Sequence, residues 1–212
     1  MFRDERSLAK RLAETIKSCS QVKNIVLGSK IPKESYEDIL SKYFNSYAPM
    51  FMPKPDIIII TEDYEKTIDE WLIIAIELKY FKREDKKYMK QWRNAYREFG
   101  QPLRYHICGF DSTVLWHVFE RNINDNLIEA YSSIITEVIK RLKLPVVYFS
   151  TKITEEMKLL PFEPLKFDKP KDVCYIISWI INCCRNIKNP LLPQEEKILE
   201  RRRALKVILK VP

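Results

Sequence analysis

The chain has 212 residues, 46% hydrophobic and 31% charged, with 37 lysines and arginines against 29 acids for a formal net charge of +8. That length and apolar content allow a sizeable core in one domain with additions, and they exclude a largely disordered chain. Only three glycines leave a glycine-rich phosphate loop unsupported, no apolar run matches a membrane span, and the positive balance favours a polyanion, nucleic acid above all.

Five cysteines, at 19, 108, 174, 183 and 184, are odd in number and lack paired spacing. Neither a disulfide scaffold nor a zinc site is expected from them, and the expected location is intracellular.

In chain order, residues 4–19 predict a helix whose Leu8, Leu12 and Ile16 recur every four positions beside Ala9 and Ala13. Glu5 lies close to that stripe and Glu14 nearly opposite it; a first-turn acid also suits the helix dipole. Residues 22–27 predict a short strand ended by Gly28 and Ser29, and 32–44 a helix carrying Tyr36, Ile39, Leu40, Tyr43 and Phe44 at helical spacing.

The stretch from Pro53 to Lys79 organises the rest. Four successive isoleucines, Ile57 to Ile60, are β-branched and apolar on both parities, as a central strand covered on both faces requires. In the next strand, 71–80, alternation puts Leu72, Ile74, Ile76 and Leu78 on one face and Ala75, Glu77 and Lys79 on the other. If the two strands pair antiparallel through the 61–69 connection, Asp56 at the start of the first lies beside Glu77 and Lys79 at the end of the second. Two carboxylates with open positions make a hard oxygen site suited to Mg²⁺ or Mn²⁺, and a neighbouring lysine can stabilise phosphoryl charge or orient a water.

Downstream, Lys82, Arg83, Lys86, Lys87, Lys90, Arg93 and Arg97 form a basic run interleaved with Tyr88, Trp92 and Tyr96, a pattern suited to phosphate contact. Residues 101–108 predict a helix with Gln101 and Tyr105 on one face, and Gly109 its cap. A strand over 113–119, a helix over 124–142 and a strand over 145–149 follow. His106 and His117 read as structural. Pro161, Pro164 and Pro170 predict that 151–171 is mostly loop with a short helical piece near Glu155, ahead of helices over 173–184 and 193–210, the latter bearing Arg201, Arg202 and Arg203.

Pro55-Asp56 followed by Glu77-Leu78-Lys79, on strands of this kind, resembles the PD-(D/E)xK nuclease superfamily over roughly residues 4–119. Within it the chain looks like the nuclease-like proteins of archaeal spindle-shaped viruses and, more distantly, the archaeal Holliday-junction resolvases. The resemblance implies an α/β fold with a restriction-endonuclease-like αβββαβ core, its central mixed sheet flanked by helices, over residues 1–150. Residues 151–212 then form C-terminal helical additions serving the fold, dimerisation or DNA binding. It implies that Asp56, Glu77 and Glu5 hold Mg²⁺, with Mn²⁺ able to substitute, and that Lys79 and Gln101 complete the catalytic set. The expected activity is DNA phosphodiester hydrolysis, structure-selective on four-way junctions or other branched DNA, by a homodimer with no membrane association. The alternative is a nucleic-acid-binding protein of little or no catalysis on a nuclease scaffold.

Overall fold

The computed structural model describes residues 2–31, 34–45, 53–82 and 99–211. Helix α1 (Glu5–Ile16) starts at a capping box in which the Asp4 carboxylate accepts from the Ser7 amide at 2.8 Å and Ser7 Oγ accepts from the Asp4 amide at 3.1 Å. Strand β1 (Asn24–Leu27) and helix α2 (Tyr36–Phe44) lead to β2 (Ile57–Glu62), β3 (Trp71–Phe81), α3 (Gly100–Ile107) and β4 (Ser112–Phe119). Then come α4 (Asp125–Arg141), β5 (Val147–Ile153), β6 (Leu159–Glu163), α5 (Val173–Asn186) and α6 (Glu196–Leu209).

The strands form one six-stranded mixed sheet in sequence order, β1 to β6. β1, β2 and β3 run antiparallel to their neighbours, β3, β4 and β5 run parallel, and β6 returns antiparallel along β5. On one face α1 and α5 lay Leu8, Leu12, Ile16, Ile176, Ile177 and Ile180 over Ile57, Ile59, Ile74, Ile76 and Trp116. On the other, α2, α3 and α6 cover Ile58, Ile60, Ile73 and Ala75, while α4 covers Leu115, Phe119 and Tyr148. Ile57 to Ile60 are thus buried on alternating faces, as four successive β-branched residues demand, each contributing about 1.5–3 kcal/mol of transfer free energy.

Two expectations change, and the C-terminal arginines take a place the sequence left open. The 151–171 segment is not helical near Glu155, and its irregular stretches frame two strand pieces: β5 continues to Ile153 and turns into β6, which lies at the sheet edge. An edge strand tolerates Pro161 because the missing amide interrupts no interior ladder, and the register shifts at Ser150/Thr151, opposite it. Second, Cys19 and Cys174 form a disulfide across 155 residues of sequence, tying the turn after α1 to the start of α5. Helices adjacent in space but far apart in the chain leave no spacing signal, and the bridge withdraws the cysteine argument for an intracellular compartment.

The arginines near the C-terminus mainly serve the interior. Arg202 is 2% exposed; its guanidinium donates to Asp111 at 2.6 Å, to Asp69 at 2.6 and 3.0 Å, and to the Trp71 carbonyl at 2.7 Å. Arg201 is buried too, and exposed Arg203 pairs with Glu196. The Arg202 clamp joins α6 to the N-terminal ends of β3 and β4, so the last helix belongs to the same core, and the expected boundary at residue 150 falls inside β5. Gly109, at φ +93, permits this approach, since a Cβ there would stand 2.5 Å from the Arg202 amide nitrogen. Among the described residues, no helix is long and apolar enough to cross a membrane.

Candidate active site

The pairing of β2 with β3 sets the site. Ile57 registers with Ile76, which carries Asp56 past the strand start to the level of Glu77 and Leu78. There Asp56 Oδ2 accepts the Leu78 amide at 2.8 Å. Two residues of alternation put Glu77 and Lys79 on the same face, and Lys79 Nζ donates to Glu77 Oε1 at 2.8 Å. The second Glu77 oxygen accepts the Tyr105 hydroxyl of α3 at 2.6 Å. Glu5, in the first turn of α1, completes the group with Oε2 3.6 Å from Lys79 Nζ and accepts the Tyr80 amide.

Burial grades across the cluster. The Glu77 side chain is 4% exposed, Lys79 13% and Glu5 40%, so the group opens toward solvent on the α1 side. Burial first, and the Glu77 charge second, push Asp56 up to about 7. Glu5 is also raised, by burial against the opposing pull of Lys79. Burial alone would depress Lys79, yet the carboxylates of Glu77, Glu5 and Asp56 outweigh it and hold the ammonium above its ordinary value. Three carboxylates stand around one ammonium, so with all three ionised the cluster carries more negative than positive charge.

The shortfall is the fit test for a divalent cation. Among the described residues, no group of three or more His, Cys, Asp or Glu stands ready to hold an ion by itself. Mg²⁺ does not require one, because it is commonly bound by one or two carboxylates with water and substrate phosphate completing its octahedron. Asp56 and Glu77 supply two hard-oxygen donors of this kind, and they fit.

Gln101 is exposed at the first turn of α3, and the described structure does not bring it into the cluster. Tyr105, one turn further on the same helix, reaches Glu77 instead. Burial of the phenol and adjacent carboxylates push Tyr105 far above its ordinary value, so it remains a donor. Its buried hydroxyl needed a partner, which was the available sequence signal. Lys82 is committed locally, donating to the Arg3 carbonyl with its ammonium 5.8 Å from the Tyr80 ring centroid. The rest of the basic run, Arg83, Lys86, Lys87, Lys90, Arg93 and Arg97, lies outside the described residues.

Both histidines are buried. His117 pairs in register with Lys79 but is fully buried between Tyr148 and Tyr131, and burial, then the Lys79 charge, bring it down to about 3. His106 sits against the Pro145 carbonyl at 2.7 Å and Thr113 at 3.1 Å. Glu14 pairs with Arg11 on the exposed side of α1.

No family model matches this chain, and neither a curated protein nor a solved structure shows significant similarity to it.

Proposed function

We propose that the chain is a divalent-metal-dependent DNA endonuclease on a restriction-endonuclease-like αβββαβ core. The observation carrying this reading is the convergence of Asp56, Glu77, Glu5 and Lys79 on one point at the ends of β2 and β3, with Asp56 raised to about 7. Such a site accepts a divalent cation more readily than it tolerates its own charge.

Asp56 and Glu77 would hold Mg²⁺, or Mn²⁺ in its place, and the bound ion would supply Lewis-acid polarisation of the scissile phosphate and a water acidic enough to attack it. The Leu78 amide fixes the Asp56 carboxylate, and Tyr105 fixes Glu77 from the opposite side to Lys79. Lys79 keeps its proton and places its positive charge where negative charge accumulates on the phosphoryl oxygens. Glu5 holds Lys79 from the solvent side. Four-way junctions or other branched DNA are the proposed substrates, and a two-fold dimer would let two such sites address two strands.

The second reading is a nucleic-acid-binding protein with little catalysis. It draws on the Lys79 ammonium already seated on one Glu77 oxygen, and on the lack of a three-ligand group among the described residues. Wild type, Asp56→Ala and Glu77→Ala, each checked for folding, are incubated with labelled four-way junction, linear duplex and single strand, in Mg²⁺, Mn²⁺ or chelator. Cutting by wild type alone, abolished by chelator, is the expected result. Cutting by both variants would refute the site, and DNA binding without cutting by any form selects the second reading.

A further inference from the structure

Beside the carboxylate cluster a groove of about 450 Å³ runs from Asp56 between the start of α1 and the Gly28–Lys30 turn. Arg6, Lys10, Lys30 and Lys54 line it, and all four are exposed. Among the described residues, Asp56 is its one acidic lining residue, and none of the four cations has a carboxylate or hydrogen-bond partner. Several lysines elsewhere are neutralised, Lys23 by Glu62, Lys152 by Asp125, Lys166 by Glu129 and Lys188 by Asp63. In the groove, by contrast, four cations without a partner among the described residues lead to the carboxylate cluster.

The row is built by the fold. Arg6 and Lys10 are four apart on α1 and share a face. Gly28 brings the other wall in: its amide lies 3.4 Å from the Asp56 carbonyl, and a Cβ there would stand 1.9 Å from the Pro55 carbonyl oxygen. Only a residue without a side chain lets the turn bearing Ser29 and Lys30 lie against Lys54 and Asp56. Among the described residues no aromatic side chain lines the groove, and these offer no platform on which an unpaired base could stack.

We propose that this groove holds successive backbone phosphates of base-paired DNA next to the bond presented to Asp56 and Glu77. The identity of the polyanion rests on the nuclease reading; the groove does not. Point charges on flexible stems, without stacking rings, read phosphate position rather than base identity. The contact is independent of sequence, and it places Arg6, Lys10, Lys30 and Lys54 in the nucleic-acid interface.

The test is the salt dependence of binding to a short labelled duplex and to one of its strands, by fluorescence anisotropy in chelator, which removes cleavage from the measurement. Arg6→Gln, Lys10→Gln, Lys30→Gln and Lys54→Gln are combined. A control variant with the same change in net charge combines Lys143→Gln, Lys169→Gln, Lys197→Gln and Lys210→Gln, all exposed and outside the groove. Each duplex phosphate contact adds about 0.9 to the slope of log affinity against log salt, so the groove variant is expected to lose about 3.6 of slope and the control little. Equal slopes in the groove variant and wild type would overturn the proposal, as would equal losses in the two variants. A loss on the single strand matching that on the duplex would overturn the base-paired assignment. If wild type never cuts yet the slope change appears, the nuclease reading fails and the groove stands; intact cutting with an unchanged slope reverses that outcome.

Discussion

Replacing Asp56 with asparagine should stabilise the protein while disabling it, and the effect should depend on pH. In the folded chain, burial and the Glu77 charge push Asp56 up to about 7. An unfolded aspartate titrates near 3.9. Between those values the folded state binds the proton more tightly than the unfolded state does, so stability falls as pH rises through the window and levels off above about 7. A shift of about three units corresponds to roughly 4 kcal/mol. Asp56 is only partly buried, so solvent relaxes some of the penalty and about 2 kcal/mol is the expected net effect. Asparagine has the same shape, keeps an oxygen for the Leu78 amide and carries no charge at any pH. Urea unfolding followed by circular dichroism should find Asp56→Asn about 2 kcal/mol more stable than wild type at about pH 8, with the gap closing below about pH 4. Millimolar Mg²⁺ should narrow the gap by stabilising wild type alone. A variant no more stable than wild type at about pH 8, or a gap that stays constant with pH, would refute the electrostatic reading of this site.

Three other substitutions probe the supports. Tyr105→Phe removes the donor on Glu77 Oε2 without changing the ring, and should weaken Mg²⁺-dependent cleavage by about 10–100-fold, chiefly through a higher metal requirement. An unchanged metal titration would take Tyr105 out of the site. Arg202→Met strands Asp69 and Asp111 beside the Trp71 carbonyl and should cost about 3–5 kcal/mol in urea unfolding, whereas wild-type stability would show that the clamp contributes nothing. Gly28→Ala forces a methyl group onto the Pro55 carbonyl oxygen and should cost about 1–3 kcal/mol and weaken duplex binding; unaltered binding would separate the turn from the groove.

The sheet was legible where burial imposed a strict pattern. Ile57 to Ile60 can only be a strand covered on both faces, and the alternation from Leu72 to Lys79 gave the faces of β3 as they stand. The hairpin of β5 and β6 was hidden because proline usually marks a loop, and only knowledge of the sheet edge turns Pro161 into a tolerated strand residue. The Arg202 clamp was hidden for a related reason. Three successive arginines look like a solvated basic face until Asp69 and Asp111 are brought to them from more than ninety residues away.

The cluster at Asp56, Glu77 and Lys79 could be read in advance because its spacing is local: two residues along one strand, and one antiparallel register between two strands. The site's other supports depend on helices docking from elsewhere, and there the chain was ambiguous. Glu5 needed the angle of α1, and on α3 the choice between Gln101 and Tyr105 turned on one helical turn, which backbone periodicity alone cannot resolve. The same limit explains the groove. Its cations come from α1, from the turn after β1 and from the residues before β2, so no run of sequence announces them. The dense run after Lys79 did announce itself, yet Lys82, its one described member, turns back to Arg3 and Tyr80. Basic density along the chain and uncompensated charge in space are different quantities, and the second is the one a phosphate responds to.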